Sequence, residues 1–281
     1  MNTVRKKAFI GLLLCSFFLS ACSSNQESRL PLDRNKTIIF PAELPPQSAP
    51  IPEQNVWDVS NVNISTVDKT RKLVALTFDD APQSMLENLL AVFANFNQTR
   101  PNFPATATVF CNGRLIHNEN KHTLSAACAM GWELGNHAFS HTDLTTLSVQ
   151  EKWREISDTD ALLQAIDGKE RHLFRPPFGK LEREWKALLP VPIVNWTIDT
   201  LDWTGKSPEE IQLEVLQNTF DGAIVLLHDS KQNTVDAVKT LLPKLYENGY
   251  QAVTLSAMAK AHGVSMKNGA EYIRLRKNAT D

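Results

Sequence analysis

From Leu73 to Leu255 the chain alternates short apolar runs with amphipathic stretches, and no other feature restricts the fold as strongly. The apolar runs are LVALTF (73–78), ATATVF (105–110), WELGNH (132–137), VPIVNWTID (191–199), AIVLLHD (223–229) and YQAVTL (250–255). Segments with helical spacing lie between them: SMLENLLAVFANF, with Leu86, Leu89, Leu90 and Phe93 on one face, then TLSAACAM and SVQEKWREISDTDALLQAI. SPEEIQLEVLQNTF opens with the helix-start signal Ser207-Pro208-Glu209-Glu210, and TVDAVKTLLPKLYENG ends at Gly249. SAMAKAHG reads as a short final helix. Strands separated by helices of this length are joined by crossovers, so the chain predicts parallel βαβ units in an open sheet or a barrel.

In such folds, side chains that do chemistry collect at the carboxyl ends of the strands. Here polar punctuation recurs where apolar runs end, at five places. The first ends at Asp79-Asp80. The third runs into NHAFSH (136–141). HLF leads into RPPFG (175–179), NWTID into TLDW (200–203), and AIVLL into His228-Asp229. His137 and His141, spaced i, i+4, can reach one point, and a carboxylate from another strand end completes a site of two histidines and one aspartate. Three protein ligands with room left for water is the layout of a catalytic divalent metal rather than a structural one.

The adjacent carboxylates fit that reading. Two like charges so close are costly without a cation. One aspartate can ligate the metal while the other acts as a general base. The competing reading is a helix cap, DDAP placed before QSMLENLL, which needs only one aspartate and leaves both histidines unexplained. Arg175 precedes two prolines on a rigid loop, and its planar guanidinium suits orienting a carboxylate. His228 is a candidate general acid, with Asp202 orienting it and tuning its pKa. His117, His122, His172 and His262 lack such surroundings and read as surface residues.

The N-terminus reads as a targeting segment: Arg5, Lys6 and Lys7, an apolar stretch too short for a comfortable bilayer span, then Leu19-Ser20-Ala21-Cys22. This resembles a bacterial lipobox with Cys22 as the lipidated residue, and Ser23 favours the outer over the inner membrane. Residues 1–21 are the expected signal peptide and 22–68 a Pro-rich tether, with Pro31, Pro41, Pro45, Pro46, Pro50 and Pro52 clustered in it. Trp57, Ile38, Ile39 and Phe40 are apolar enough to pack on the domain. The domain is expected over 69–265, with a polar, frayed tail over 266–281. Losing residues 1–21 takes three of 29 basic residues and none of 31 acidic ones, leaving a net charge of −5. A mildly acidic chain without a basic stripe is a poor nucleic-acid binder. Cys111 and Cys128 remain, either paired in an oxidising compartment or buried as thiols.

TFDDAP, NHAFSH, RPPFG, DTLDW and IVLLHD, in this order, resemble the five signatures of polysaccharide deacetylases, the NodB homology domain of carbohydrate esterase family 4, over roughly residues 72–260. The resemblance implies a distorted (β/α) barrel of about seven strands. It implies Asp79 as catalytic base, with Asp80, His137 and His141 binding a divalent metal, usually Zn2+, with Co2+ or a similar ion as the alternative. Arg175 would orient the base, and Asp202 and His228 would form the acid pair. The Phe178 N–H would serve the oxyanion hole, and Trp203 and Leu226 would wall in the acetyl methyl. Two departures are visible: Ala81 stands where the family has Gly, and Phe178 where it has Tyr. The implied activity is metal-dependent removal of N-acetyl groups from N-acetylglucosamine-containing polysaccharide by a monomeric, lipid-anchored enzyme at the cell envelope, facing the periplasm. The alternatives are an O-acetyl esterase of xylan-type polymers and an inactive glycan-binding lipoprotein.

Overall fold

The computed structural model describes residues 56–276. Cys22, the signal segment and most of the expected tether lie outside the described residues. The strands are β1 (Lys72–Ala81), β2 (Thr108–Cys111), β3 (Glu133–Asn136), β4 (Ile193–Val194), β5 (Ile198–Asp199), β6 (Ala223–His228), β7 (Tyr250–Ala252) and β8 (Glu271–Tyr272). The helices are α1 (Leu86–Asn97), α2 (Lys121–Ala129), α3 (Val149–Asp167), α4 (Arg183–Lys186), α5 (Pro208–Asn218), α6 (Gln232–Glu247) and α7 (Leu255–His262). Both α3 and α5 begin with a reciprocal capping box, Ser148 with Glu151 and Ser207 with Glu210, and Pro208 follows the second cap as the start signal requires.

The main sheet is parallel, in the order β3-β2-β1-β6-β5, and β7 also pairs with β1. Strand β4 pairs with β8, and Phe174 links this ribbon to the main sheet by parallel bridges to Asn136 and Ile193. The α/β class holds, with eight strands among the described residues where about seven were expected. The run 191–199 does not form one strand. It breaks at Asn195–Thr197 into β4, which pairs with β8, and β5, which pairs with β6; between them the Asn195 carbonyl accepts from Arg175 Nη2 and the Asn195 side-chain amide donates to Glu271.

β1 shows why the sheet is apolar on both faces. Val74, Leu76 and Phe78 face the helix-covered cluster, where Phe78 stacks on Trp132 at 5.8 Å and Trp132 meets Phe93 at 4.6 Å. Leu73 and Ala75 face a second cluster with Phe110, Val194, Ile224, Leu255 and Met258. Side chains alternate along a strand, so Thr77 and Asp79 continue the second face and rise from its apolar floor into the site.

Three expectations are corrected. The tail is not frayed up to residue 276: Met266 and Leu275 are buried, and β8 and the Ala223–Arg274 bridge hold it to the sheet. Trp57, at the end of the expected tether, docks there as its apolar character suggests, its backbone N–H donating to the Met266 carbonyl at 2.7 Å. His172 is buried rather than on the surface, and His262 is half-buried between the Leu275 carbonyl and Asp221. His117 and His122 are exposed, as expected. Cys111 and Cys128 are free thiols, and burial pushes both up, Cys128 to about 11. No described helix is long and apolar enough to cross a membrane.

His172 meets Asp160 at 2.9 Å through Nδ1 and Asp167 at 3.2 Å through Nε2. Burial alone would lower its pKa, but the two aspartates outweigh burial and raise it above 6.5. A histidine raised on folding stabilises fully below its unfolded pKa and loses that contribution as pH climbs through the folded value. His172→Gln should therefore lower the thermal midpoint more below about pH 6.5 than at alkaline pH. Thermal unfolding of both proteins across that range tests this, and an equal loss at all pH values would contradict it.

Candidate active site

Strand β1 carries one more residue than β2 between their paired positions: Phe78 pairs with Val109, and Ala81 with Cys111. This bulge falls on Asp79-Asp80, and Asp80 takes the left-handed conformation, φ 65°. Consecutive residues of a regular strand point to opposite faces. A bulge with one left-handed residue re-aims a side chain, and here both carboxylates turn toward His137. Neither caps a helix: α1 starts at Leu86 without a side-chain cap. Ala81 has no positive φ, so the position where a glycine is usual does not need one.

Asp80, His137 and His141 offer ligand atoms that all lie within 4.8 Å of one another. Asp80 Oδ1 is 3.4 Å from His141 Nε2 and 3.8 Å from His137 Nε2. Tetrahedral bonds of about 2.1 Å put donor atoms roughly 3.4 Å apart. Asp80 Oδ1 is also buried with no hydrogen-bond partner, an uncompensated acceptor that a cation would satisfy. His137 Nδ1–H donates to the Arg175 carbonyl at 2.7 Å, which leaves Nε2 as a bare lone pair facing Asp80. Burial, the largest effect, lowers the His137 pKa against the pull of Asp79 and Asp80, and a neutral ring is the form that ligates. The donor set fits a divalent ion of the zinc type.

Asp79 lies beside that set, its Oδ2 3.6 Å from His137 Nε2. Its other oxygen accepts from Arg175 Nη1 at 2.6 Å. Burial pushes Asp79 up, but the Arg175 charge, then His137 and His228, prevail and hold it below the ordinary carboxylate value. Arg175 is fully buried and uses its whole fork: Nε donates to the Val194 carbonyl, Nη1 also to Thr77 Oγ1, and Nη2 to the Asn195 carbonyl. Its Cζ lies 4.1 Å from the centre of the Phe110 ring.

The acid candidate sits across one strand pair, because the β1–β6 register places His228 opposite Asp79. His228 Nδ1–H donates to Asp202 Oδ1 at 2.8 Å, and the His228 N–H to Asp202 Oδ2 at 2.8 Å. Burial would lower the His228 pKa, but Asp202, by bond and by charge, raises it to about 9. The ring is thus charged at neutral pH. Thr234 Oγ1 adds a third bond to Asp202, at 2.7 Å. Leu226, two residues before His228 on the same strand face, is buried, whereas Phe178 and Trp203 are each 57% exposed at the rim. Phe178 has φ 59°, and its ring meets the His141 ring edge-on at 4.7 Å.

Of the predicted residues, Asp79, Asp80, His137, His141, Arg175 and Phe178 are linked by contacts, Asp202 and His228 join them across the β1–β6 register, and Leu226 and Trp203 lie beside that pair in the chain. Sequence reasoning missed the ones that hold them. Thr77 and Asn195 complete the Arg175 fork, and Thr234 fixes Asp202. Buried Asp229 accepts the Gln83 N–H on Oδ2 and the Met85 N–H on its carbonyl, tying the loop after Asp80 to the end of β6. Burial above all pushes Asp229 up to about 7. Its place directly after His228 was the one visible signal.

Comparison with known proteins agrees with this geometry. A family model described as polysaccharide deacetylase matches residues 66–190. The chain is 33% identical over 193 residues to peptidoglycan-N-acetylmuramic acid deacetylase PdaC of Bacillus subtilis, a match over 69% of this chain and 40% of that one. It is 32% identical over 194 residues to a peptidoglycan-N-acetylglucosamine deacetylase of Bacillus cereus, over 66% of this chain and 67% of that one. A family 4 acetyl xylan esterase from Clostridium thermocellum, solved in complex with a cobalt ion, superposes with TM-score 0.67 and 27% identity, over 73% of this chain and 99% of that one. The chain spans about half the length of the curated relatives it matches first, 40% and 52%.

Removing one partner from a buried ion pair strands the other charge, at a cost of about 3–5 kcal/mol. Arg175→Met should destabilise the fold by about that amount, while Asp79→Asn, which keeps an acceptor for Nη1, should cost less. Denaturant unfolding of the two variants gives the comparison. Equal, small losses would mean the pair is not buried as described.

Proposed function

The chain belongs to the polysaccharide deacetylase family, and from that premise we propose that it is a metal-dependent hydrolase that removes N-acetyl groups from N-acetylglucosamine-containing polysaccharide at the cell envelope. The observation that carries the reading is the β1–β6 register, which sets Asp79, bonded to Arg175 and 3.6 Å from His137 of the donor set, opposite His228, bonded to Asp202.

A bound zinc-type ion, held by Asp80, His137 and His141, would supply Lewis acidity toward the acetamide carbonyl and toward water. Asp79 takes a proton from the attacking water, and Arg175 keeps that carboxylate ionised and aimed. The Phe178 N–H donates to the developing oxyanion. His228, kept charged by Asp202, gives its proton to the leaving amine nitrogen, so acetate departs and a free amine remains on the sugar. Leu226 and Trp203 form the apolar wall for the acetyl methyl.

Two curated relatives are named for peptidoglycan deacetylation, and the lipobox-like segment ending at Cys22 supports an envelope location with a lipid anchor, outer membrane facing periplasm. A second reading, an O-acetyl esterase, has support in the acetyl xylan esterase that the chain resembles. The two part on substrate: acetate release from N-acetylglucosamine oligomers and peptidoglycan fragments against release from acetylated xylan.

Chelation should abolish acetate release, and Zn2+ or Co2+ should restore it. Asp79→Asn should lower kcat/KM by about 10²–10⁴-fold, and undiminished turnover in either case would sink the mechanism. With His228 raised to about 9, kcat/KM should fall as pH rises through that region. Asp202→Asn removes what raises it, so the alkaline limb should move to lower pH. A limb that stays in place would assign it to another group.

A further inference from the structure

The loop that joins the two histidine ligands leaves regular structure. Ala138 and His141 both sit in the left-handed region, at φ 61°. No strand or helix satisfies its N–H groups, yet three in succession are held. The Ala138 N–H donates to Asn136 Oδ1 at 2.9 Å, and the Phe139 and Ser140 N–H groups both donate to Glu155 Oε2, at 2.9 and 2.7 Å. The carbonyls are held as well: His137 O accepts from Asn112 Nδ2, Ala138 O from the Gly113 N–H and Phe139 O from the Arg114 N–H. We infer that Glu155, on α3, is a positioning residue that holds this loop, and through it His137 and His141, in metal-binding geometry. The inference rests on the metal-site reading above.

Two observations give Glu155 this weight. Bonds from a carboxylate to backbone N–H groups are charge-assisted and roughly twice as strong as neutral ones. Here one oxygen takes two of them, at the middle of a loop bounded by two left-handed residues that each cost about 1 kcal/mol or more. The helix is also anchored to the ligand strand: Asn136 Nδ2 donates to the Ile156 carbonyl and to Asp160 Oδ1, each at 2.9 Å. A single stretch of α3, residues 155 to 160, thus grips the histidine segment at its start and at its middle. Without the carboxylate, two N–H groups lose their acceptor and the loop can leave its strained conformation, taking the imidazoles out of register with Asp80.

The test compares zinc affinity of the full, metal-stripped chain with that of Glu155→Gln, Glu155→Ala and Glu151→Gln, by competition with a chromophoric chelator, alongside thermal unfolding of each apo form. Glu151 caps the same helix but does not touch the loop, so its variant controls for loss of helix stability. Removing an outer partner of a metal ligand typically costs 10–100-fold in affinity. Glu155→Gln should weaken zinc binding by about tenfold and Glu155→Ala by up to about 100-fold, with Glu151→Gln unchanged. If Glu155→Ala does not fold, Glu155→Gln decides, since it keeps the side-chain shape and one acceptor. Affinity within about twofold of the parent, or an equal loss in Glu151→Gln, overturns the role given to Glu155. A parent chain that binds no zinc overturns the metal reading and this inference together.

Discussion

The Arg175–Asp79 ion pair is the interaction on which the rest of the site depends. Burying a guanidinium and a carboxylate together is unfavourable unless the pair has near-ideal geometry and spare donors are satisfied. Arg175 meets the second condition by donating to a β1 hydroxyl and to two carbonyls around β4, so three segments far apart in sequence must be in place before the charge is tolerable. Its own carbonyl then accepts from His137 Nδ1, which fixes the tautomer of a proposed metal ligand. One residue sets the charge of the proposed base with its side chain and the proton of a ligand with its backbone.

The site stores conformational strain around that anchor. Among the described residues, the non-glycine positive-φ positions are Asp80, in the β1 bulge, and Ala138, His141, Phe178 and Leu201, in the segments after the strands that carry or flank the site. Such conformations persist only where surrounding contacts over-determine them. Here the contacts are side chains that take the place of sheet and helix partners: Asn136 and Glu155 for the histidine loop, Asp229 for the loop after Asp80, Asp199 for the Leu201 N–H.

Much of this was legible in the sequence, for identifiable reasons. Helix starts at Ser148 and Ser207 are written in local chemistry, and the strand ends were marked by polar residues after apolar runs. The ligand and proton-transfer residues sat at those ends. What was not legible is whatever depends on partners distant in the chain. His172 looks like any histidine until Asp160 and Asp167 are seen to flank it in the interior. The segment beyond residue 265 is polar in composition, yet buried Met266 and Leu275 together with the β8 pairing dock it. The split of 191–199 into two strands goes with separate partners, β8 and β6, and with an Asn195 carbonyl that accepts from Arg175 between them, contacts no periodicity records. Thr234 and Glu155 act through hydroxyl and carboxylate bonds that their neighbours in sequence do not announce.

The register of β1 against β6 carries one more consequence. Because Asp79 and His228 are cross-strand neighbours, their backbone spacing is the repeat of the sheet itself, about 4.8 Å. That spacing is common to every parallel sheet and is insensitive to loop sequence. Exposed rim side chains such as those of Phe178 and Trp203 can change what rests above the pair without moving the two backbones that carry the proposed proton acceptor and donor. Variation of the surface and the spacing of the pair are thus assigned to different atoms, the first to side chains at the rim and the second to the last residues of two adjacent strands.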